Sequence, residues 1–578
     1  MKHGAYADDI LALVSSMAEW EALDSALTLY GRASNAKVNL SKTIAFPMAR
    51  SADPQLKDHL TALDLQWHDS TSHEALIYLG FPIFFGKHQE KTFWDKIYAK
   101  IKAGLDIHSS RTLSVLGRAT IVNALILSRL WHLARVVPFP TQFLSKVRQI
   151  VTTFVCNFKP TAAWSTITTP RHRGGLGVID PAVQFQVFQL KHLRNAVSST
   201  VSWGKDIALD IIQWRTRSMH RLAFVVAPGD IPYRSMLAGF PSLQRMVAAA
   251  TKLPSLKTSI TQASPPDSST FAASPVEWWF PPADNTTPPL TTRIGDLFLL
   301  TANENNKYRV SNKPELPSKL RQEQDSLVSQ LVQLKTRNMS QAYLTVIQDP
   351  PAGLVGDQIQ QRVQSIVLYG EGKSTVTFGS ATTKQLRHFL SSPPSPASAP
   401  PPTESTSRFE EGSVTQWRKF WRAKIPHRAR TIWWRYKRDI LPCGTLRAHR
   451  WNQDPKCEMR GCREQRADKN HYIVQCSAKY LAWQSILKEY TDKPLWSDED
   501  LHSLLSFKPP KFSIKPDYNI SAPQLLACCL IGVHTANLTL FLHKQTQSWD
   551  DISNNITKEI HKVIAQNNHI KSTDTSHQ

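Results

Sequence analysis

The sequence predicts an α+β protein built in several pieces: a few short strands, then a helical bundle, disordered linkers and a mostly helical C-terminal region. Three observations carry this. Apolar runs of strand length are confined to about the first 85 residues, helical periodicity takes over from about Gln89, and two Pro/Ser-rich stretches interrupt it before it resumes at Val414. Ile10 to Val14 reads as a compact apolar strand, and Ala18 to Ser34 sets Trp20, Leu23, Leu27 and Tyr30 on one helical face. KVNLSKTIAF and ALIYLGFPIFF follow as further strands. Phe93, Ile97, Ile101 and Leu105 repeat at helical spacing, Leu113 to Val137 reads as a second helix, and Phe143, Val147, Val151 and Phe154 mark a third. A loop with Gly174, Gly175 and Gly177 precedes the helix VQFQVFQLKHLRNAV. SPPDSSTFAASPVEWWFPPADNTTPPL and SSPPSPASAPPPTESTS (391–407) read as linkers, and residues 290–390 between them as weakly structured. The expected boundaries are 1–86, 87–255, 256–413, 414–495 and 496–578.

The chain has 578 residues, room for roughly three to five domains. Its 69 Lys and Arg against 46 Asp and Glu leave a net charge of +23, which argues against an ordinary metabolic enzyme and for a polyanionic partner, RNA or DNA first. Seventeen Trp beside those cations suit nucleic acid better than a bare basic tail does. Seven Cys over this length argue against a secreted disulfide scaffold and for a reducing compartment. The N-terminal MKHGAYADDILALV lacks the uninterrupted apolar region of a secretory signal, because Asp8 and Asp9 stand inside it. LLACCLIGVHTANLTLFL, Leu525 to Leu542, has His534 and Asn537 near its centre and reads as a buried helix rather than a membrane span. We expect an intracellular protein, nuclear or cytoplasmic, with no membrane partner.

Two constellations carry chemistry. The first is AYADD, Ala5 to Asp9: strand, paired carboxylates, apolar strand, a hairpin with carboxylates at its tip. Such a tip suits hard cations, and polymerases hold two magnesium ions about 4 Å apart on such carboxylates; taken alone, two adjacent Asp are more often plain turn residues. NLSKT (39–43), YLGFPI (78–83), LSVLGRATIVNALIL and GGLGVIDP then follow in order. In that order they resemble the reverse transcriptases of LINE-type non-LTR retrotransposons, from the palm hairpin through the thumb, over about residues 4–195. The resemblance implies a remnant palm over 1–86 and a helical thumb and connection over 87–255. It implies that Asp8 is a magnesium ligand with Asp9 its neighbour and Tyr6 the preceding aromatic. Lys42 would lie near the incoming nucleotide, Leu79 and Gly80 would grip the primer strand, and Gly117 with Arg118 would form the thumb motif. Gly174, Gly175 and Gly177 would be the glycine loop beyond it. The upstream metal-binding Asp and the fingers that such polymerases need do not precede Tyr6, so the chain looks like the C-terminal part of such an enzyme. One hairpin pair cannot hold two hard cations, and we expect no polymerisation by the chain alone, with magnesium bound only if the site is completed.

The second constellation is Cys457, Cys462, His471 and Cys476, spaced C-x4-C-x8-H-x4-C. Four soft or borderline ligands within twenty residues fit a closed tetrahedral zinc site, and a site without an open position is structural; the bland alternative is ordinary cysteines beside a solvated His. LINE-type proteins place a similar Cys-Cys-His-Cys region after the thumb, with a Trp-rich helical lead-in. Here that lead-in is strongly basic: Arg418, Lys419, Arg422, Lys424, Arg428, Arg430, Arg435, Lys437, Arg438, Arg447 and Arg450 face a single acid, Asp439. Trp417, Trp421 and Trp433 are expected to form a core, leaving the arginines on a solvent-facing side suited to phosphate. The function expected is a nucleic-acid-binding reverse-transcriptase remnant with structural zinc; the alternative is a domesticated zinc-binding adaptor or RNA-binding protein. A nuclease finds little support, since Asp517, Asp550 and Asp551 lack an acidic-plus-Lys context.

Overall fold

The computed structural model describes residues 2–6, 9–48, 53–198, 239–250, 252, 298–300, 308–310, 367–369, 375–391, 412–507 and 509–575. It divides into two compact units, the first made of Met1–Gly104 with Pro140–Val147 and the second of Leu105–Phe139 with Arg148–Gln578.

In the first unit, β1 (Lys2–Tyr6) and β2 (Asp9–Leu13) form the expected antiparallel hairpin, with Tyr6 opposite Asp9. Helix α1 (Met17–Ser34) starts where Ser16 accepts the Glu19 N–H and stops at Asn35 in the left-handed region. Its apolar face is only half-covered, and Tyr30 stays 63 % exposed. KVNLSKTIAF is mostly not a strand. The Asn39 side chain accepts the Lys42 N–H and winds Leu40–Lys42 into a 3-10 turn, leaving only β3 (Ile44–Ala45), which pairs in parallel with β4 (Gln66–Trp67). Between these strands lies α2 (Pro54–Ala62), capped by Asp53. β5 (Leu76–Tyr78) and β6 (Phe81–Ile83) form a hairpin with Leu79 and Gly80 at its tip. Trp94 of α3 (Lys87–Ser109) packs on Phe143 at 4.7 Å between ring centroids. Buried Gln89 fastens the loop before α3, donating to the carbonyls of Asp69 and Ser72 at 2.8 Å each and accepting the Phe85 N–H at 2.7 Å.

In the second unit, the single helix expected from Leu113 to Val137 is broken. Ser114 caps α4 (Val115–Ile121), which runs into a π-turn (Val122–Ile126) and two 3-10 turns (Leu127–Leu130 and Leu133–Arg135). Asn123 sits in the π-turn and exchanges hydrogen bonds with a neighbouring loop, donating to Gly177 O at 2.8 Å and accepting from Ile179 N at 2.9 Å. That bridge holds the widened turn open while Val115, Ala119, Val122, Ile126 and Leu130 stay buried. The third expected helix is α5 (Thr141–Val155), whose Phe143 and Val147 belong to the first unit and Val151 and Phe154 to the second, all four buried. It is followed by α6 (Trp164–Thr168), the turn Arg171–Arg173, α7 (Pro181–Ser198) and α8 (Pro241–Ala250).

Within 290–390 the described residues include two hairpins, β7 (Phe298–Leu300) with β8 (Tyr308–Val310) and β9 (Val367–Tyr369) with β10 (Thr375–Thr377). Helix α9 (Thr383–Ser391) follows, with Leu386 fully buried. Its leading turn is held by Arg194, whose guanidinium donates to the carbonyls of Phe378, Gly379 and Ala381. The C-terminal core gathers α10 (Val414–Arg422), α11 (His427–Lys437), α12 (Gly444–Trp451), α13 (Ser477–Tyr490), α14 (Asp498–Ser503), α15 (Ala522–His543) and α16 (Trp549–Thr575). Among the described residues α15 alone is long and apolar enough to cross a membrane, yet most of it is buried inside this core. Helix α16, through a core that includes Ile552, Ile556 and Ile560, packs against both α15 and α13, and Leu525 to Val533, Trp483 and Ile486 share that core.

Candidate metal centre and basic surface

The zinc-type ligands come from a loop and a helix start. Asn452, in the left-handed region, ends α12, and the chain then folds back through paired backbone bonds: Cys457 N to Glu464 O at 2.9 Å and Ala467 N to Pro455 O at 2.9 Å. Gly461, at φ +77°, makes the tight turn between the two loop ligands, and Cys462 N bonds Met459 O at 3.0 Å. His471 opens a π-turn (His471–Gln475), its N–H held by Asp468 Oδ1 at 2.8 Å. Cys476 is the N-cap of α13, so its sulfur sits at the positive end of that helix.

The four ligand atoms lie within 4.8 Å of one another. Cys457 Sγ and Cys476 Sγ are 3.9 Å apart, and Cys462 Sγ is 3.4 Å from His471 Nε2. A tetrahedral zinc ion, with bonds of about 2.3 Å to sulfur and about 2.0 Å to nitrogen, requires S···S of about 3.8 Å and S···N of about 3.5 Å. Both of those pairs stand at the separation such an ion needs. The contact between the two thiols pulls the Cys476 thiol below its usual range and pushes that of Cys457 up.

Two further residues complete the centre. Lys479 is 1 % exposed, with Nζ donating to Asn537 Oδ1 at 2.8 Å and lying 5.3 Å from the Tyr472 ring. Burial lowers its pKa, opposed by the charges of Cys476, Cys457 and Cys462. A zinc ion held there by three thiolates and a neutral imidazole would carry one net negative charge, and Lys479 would supply the counter-charge. Asn537 also donates to Tyr472 O at 3.0 Å, which fastens α15 to the ligand-bearing turn. Sequence reading missed both. A lysine at the buried face of the periodic AKYLAW run is the available signal for the first, whereas in the sequence Asn537 signals only a poor membrane span.

The lead-in helices do not present all their arginines to solvent. Trp417, Phe420 and Trp434 are buried, Trp421 and Trp433 half-buried, so these aromatics form core as expected. What they pack on is the glycine loop. Trp434 Nε1 donates to Gly174 O at 2.8 Å, Trp421 Nε1 to Arg171 O at 2.8 Å, and Arg438 Nε to Gly174 O at 3.0 Å while stacking over Trp417. Gly174, at φ +79°, has no room for a side chain, since a Cβ would stand 2.1 Å from Arg438 Nη2.

The predicted nucleic-acid ligands therefore divide. Arg418 and Arg422 are exposed on α10, and Arg428 is exposed on α11, with one bond to Thr535 Oγ1. Arg430 is half-buried and donates to Ala423 O. Arg435 is 4 % exposed, donates to Lys159 O at 2.9 Å and stacks on Phe158 at 4.1 Å; the solvent-facing placement expected for it does not hold, because it closes the core under α11. Arg118 is likewise interior, donating to the carbonyls of Phe154, Ser109 and Arg111. In the first unit, Asp9 and Lys42 are exposed and Gly80 sits at the exposed tip of its hairpin; Asp8 lies outside the described residues.

One comparison with known proteins bears on this arrangement. The chain is similar to the "Transposon TX1 uncharacterized 149 kDa protein" of Xenopus laevis. The two are 22 % identical over 231 residues, which is 39 % of this chain and 17 % of that protein, so the chain spans a small part of the relative's length. No protein-family profile matches the chain.

Proposed function

We propose that this chain is a nucleic-acid-binding part of a LINE-type reverse transcriptase, with a structural zinc centre. The observation that carries it is the Cys457, Cys462, His471 and Cys476 cluster, which matches tetrahedral zinc and lies in the same core as the basic lead-in. The similarity to a transposon protein supports the same ancestry. Zinc would cross-link the 455–467 loop to the start of α13, and the exposed cations Arg418, Lys419, Arg422, Lys424 and Arg428 would meet phosphates. Arg118 and Arg435 act inside the fold, and Asp8, Asp9, Lys42 and Gly80 keep the roles that the polymerase resemblance implies.

Purified full-length protein should contain one zinc per chain by mass spectrometry, falling to background in Cys462→Ser. Zinc occupancy surviving Cys462→Ser would show the ligands misassigned.

A further inference from the structure

Two helices of the C-terminal core meet where their last turns leave aromatic rings in water. Neither α12 (Gly444–Trp451) nor α15 (Ala522–His543) contains an Asp or Glu. The Arg447 guanidinium of α12 lies over the Phe541 ring of α15, 5.3 Å from its centroid, and Lys544 Nζ lies 5.8 Å from the same centroid. Two cations therefore hold one ring, and that ring stays 40 % exposed. Trp451 follows Arg447 by one helical turn on the same face of α12 and is 39 % exposed. Arg450 beside it is exposed too. Arg447 also acts on Asp454, but that carboxylate holds Lys456 at 2.8 Å. Large rings in water gain by being covered, and rings set among cations favour a cover that is flat and carries negative charge.

We propose that Trp451 and Phe541, set between Arg447 and Lys544, form a stacking platform for the unpaired bases of a single-stranded nucleic acid. The platform rests on the nucleic-acid reading above and adds to it a place and a strand state. Each ring would receive the face of a base, and every base has such a face, so the contact tolerates any sequence. Lys544, exposed at the end of α15, would meet a phosphate flanking the stacked bases. A duplex presents only the edges of its bases in the grooves and cannot use the platform. Arg428 bonds Thr535 Oγ1 at 3.0 Å, less than two turns before Phe541 on α15, so the platform shares a helix with the basic surface of the lead-in. One strand would then be held by its phosphates on the lead-in and by its bases at the end of α15.

The test is fluorescence anisotropy of the full chain with a labelled single-stranded RNA of mixed sequence, and with the duplex of that sequence, across a salt series. Trp451→Ala/Phe541→Ala should weaken single-strand binding by roughly 5- to 150-fold per stacked base, with the log–log salt slope unchanged because stacking releases no counterions. Duplex binding, zinc and helix content should stay as in wild type. Trp451→Tyr/Phe541→Tyr should keep most of the affinity, and Lys544→Gln should lower the single-strand salt slope by about 0.7. On the unaltered chain, single-stranded RNA carrying iodouridine should photocrosslink to Trp451 or Phe541, mapped by peptide mass spectrometry. A folded alanine variant with wild-type single-strand affinity, an equal loss on the duplex, or crosslinks that map elsewhere would overturn the platform and leave the nucleic-acid reading intact. Wild-type protein without salt-dependent binding would overturn both.

Discussion

Arg435 separates a structural arginine from a phosphate-binding one. Its guanidinium donates to Lys159 O, lies 4.1 Å from the centre of the Phe158 ring and is 4 % exposed. Burial brings its pKa down to about 10, so it stays protonated and positively charged at neutral pH. Replacement by Ala removes a charge-assisted hydrogen bond, about 1.5–3 kcal/mol, and a desolvated cation–π contact of about 2 kcal/mol. Release of a buried cation gives part of that back. The net loss should be about 2–4 kcal/mol. Urea denaturation followed by Trp fluorescence reads it, since Trp417 and Trp434 are buried in the helices that carry and precede Arg435. RNA binding by the folded variant should keep the wild-type salt slope, whereas Arg428→Gln, at an exposed position, should lower the slope by roughly 0.7–0.9 with little effect on stability. An Arg435→Ala protein of wild-type stability with a reduced salt slope would refute the assignment.

Other perturbations follow from the same geometry. Lys479→Met keeps the buried volume but removes the counter-charge, and should weaken zinc in a chelator competition by roughly 10–100-fold; unchanged affinity would mean the ammonium serves packing alone. His534 is buried against the Tyr472 hydroxyl at 2.9 Å, and burial holds it at about 3, below its ordinary 6.5. The unfolded chain therefore takes up this proton first. Stability is fully present above about pH 6.5 and is lost as pH falls toward about 3, at about 1.4 kcal/mol per pH unit. His534→Gln should remove that component of the acid slope, and an identical slope in both proteins would count against it. Gly174→Ala forces a Cβ against Arg438 and Trp417 at a left-handed position, and should cost about 2–4 kcal/mol, seen as a shifted denaturation midpoint and altered Trp emission.

The Cys457, Cys462, His471 and Cys476 cluster was legible because four soft ligands at short spacing leave few alternatives, and the structure gathers their ligand atoms within 4.8 Å of one another. The α+β division was legible from the change of period near Gln89. Other features depend on contacts distant in sequence. Periodicity alone could not show that Asn123 opens a π-turn by bonding residues more than fifty positions away, nor that Arg435 turns inward onto Phe158. A run of arginines reads as a solvated face until the partner surface is known, and here that surface is the glycine loop, two linkers upstream. Arg447 and Phe541 carry no local signal of their pairing, because only tertiary docking brings them together.

The most direct test of the nucleic-acid role is the affinity of the full zinc-loaded chain for RNA as a function of salt. Three to five phosphate contacts from Arg418, Lys419, Arg422, Lys424 and Arg428 predict that log K falls linearly with log salt at a slope of roughly −2 to −4. A folded, zinc-containing protein with a flat salt profile, or with no RNA binding at low ionic strength, would contradict the account and identify the basic region as a protein-contact surface.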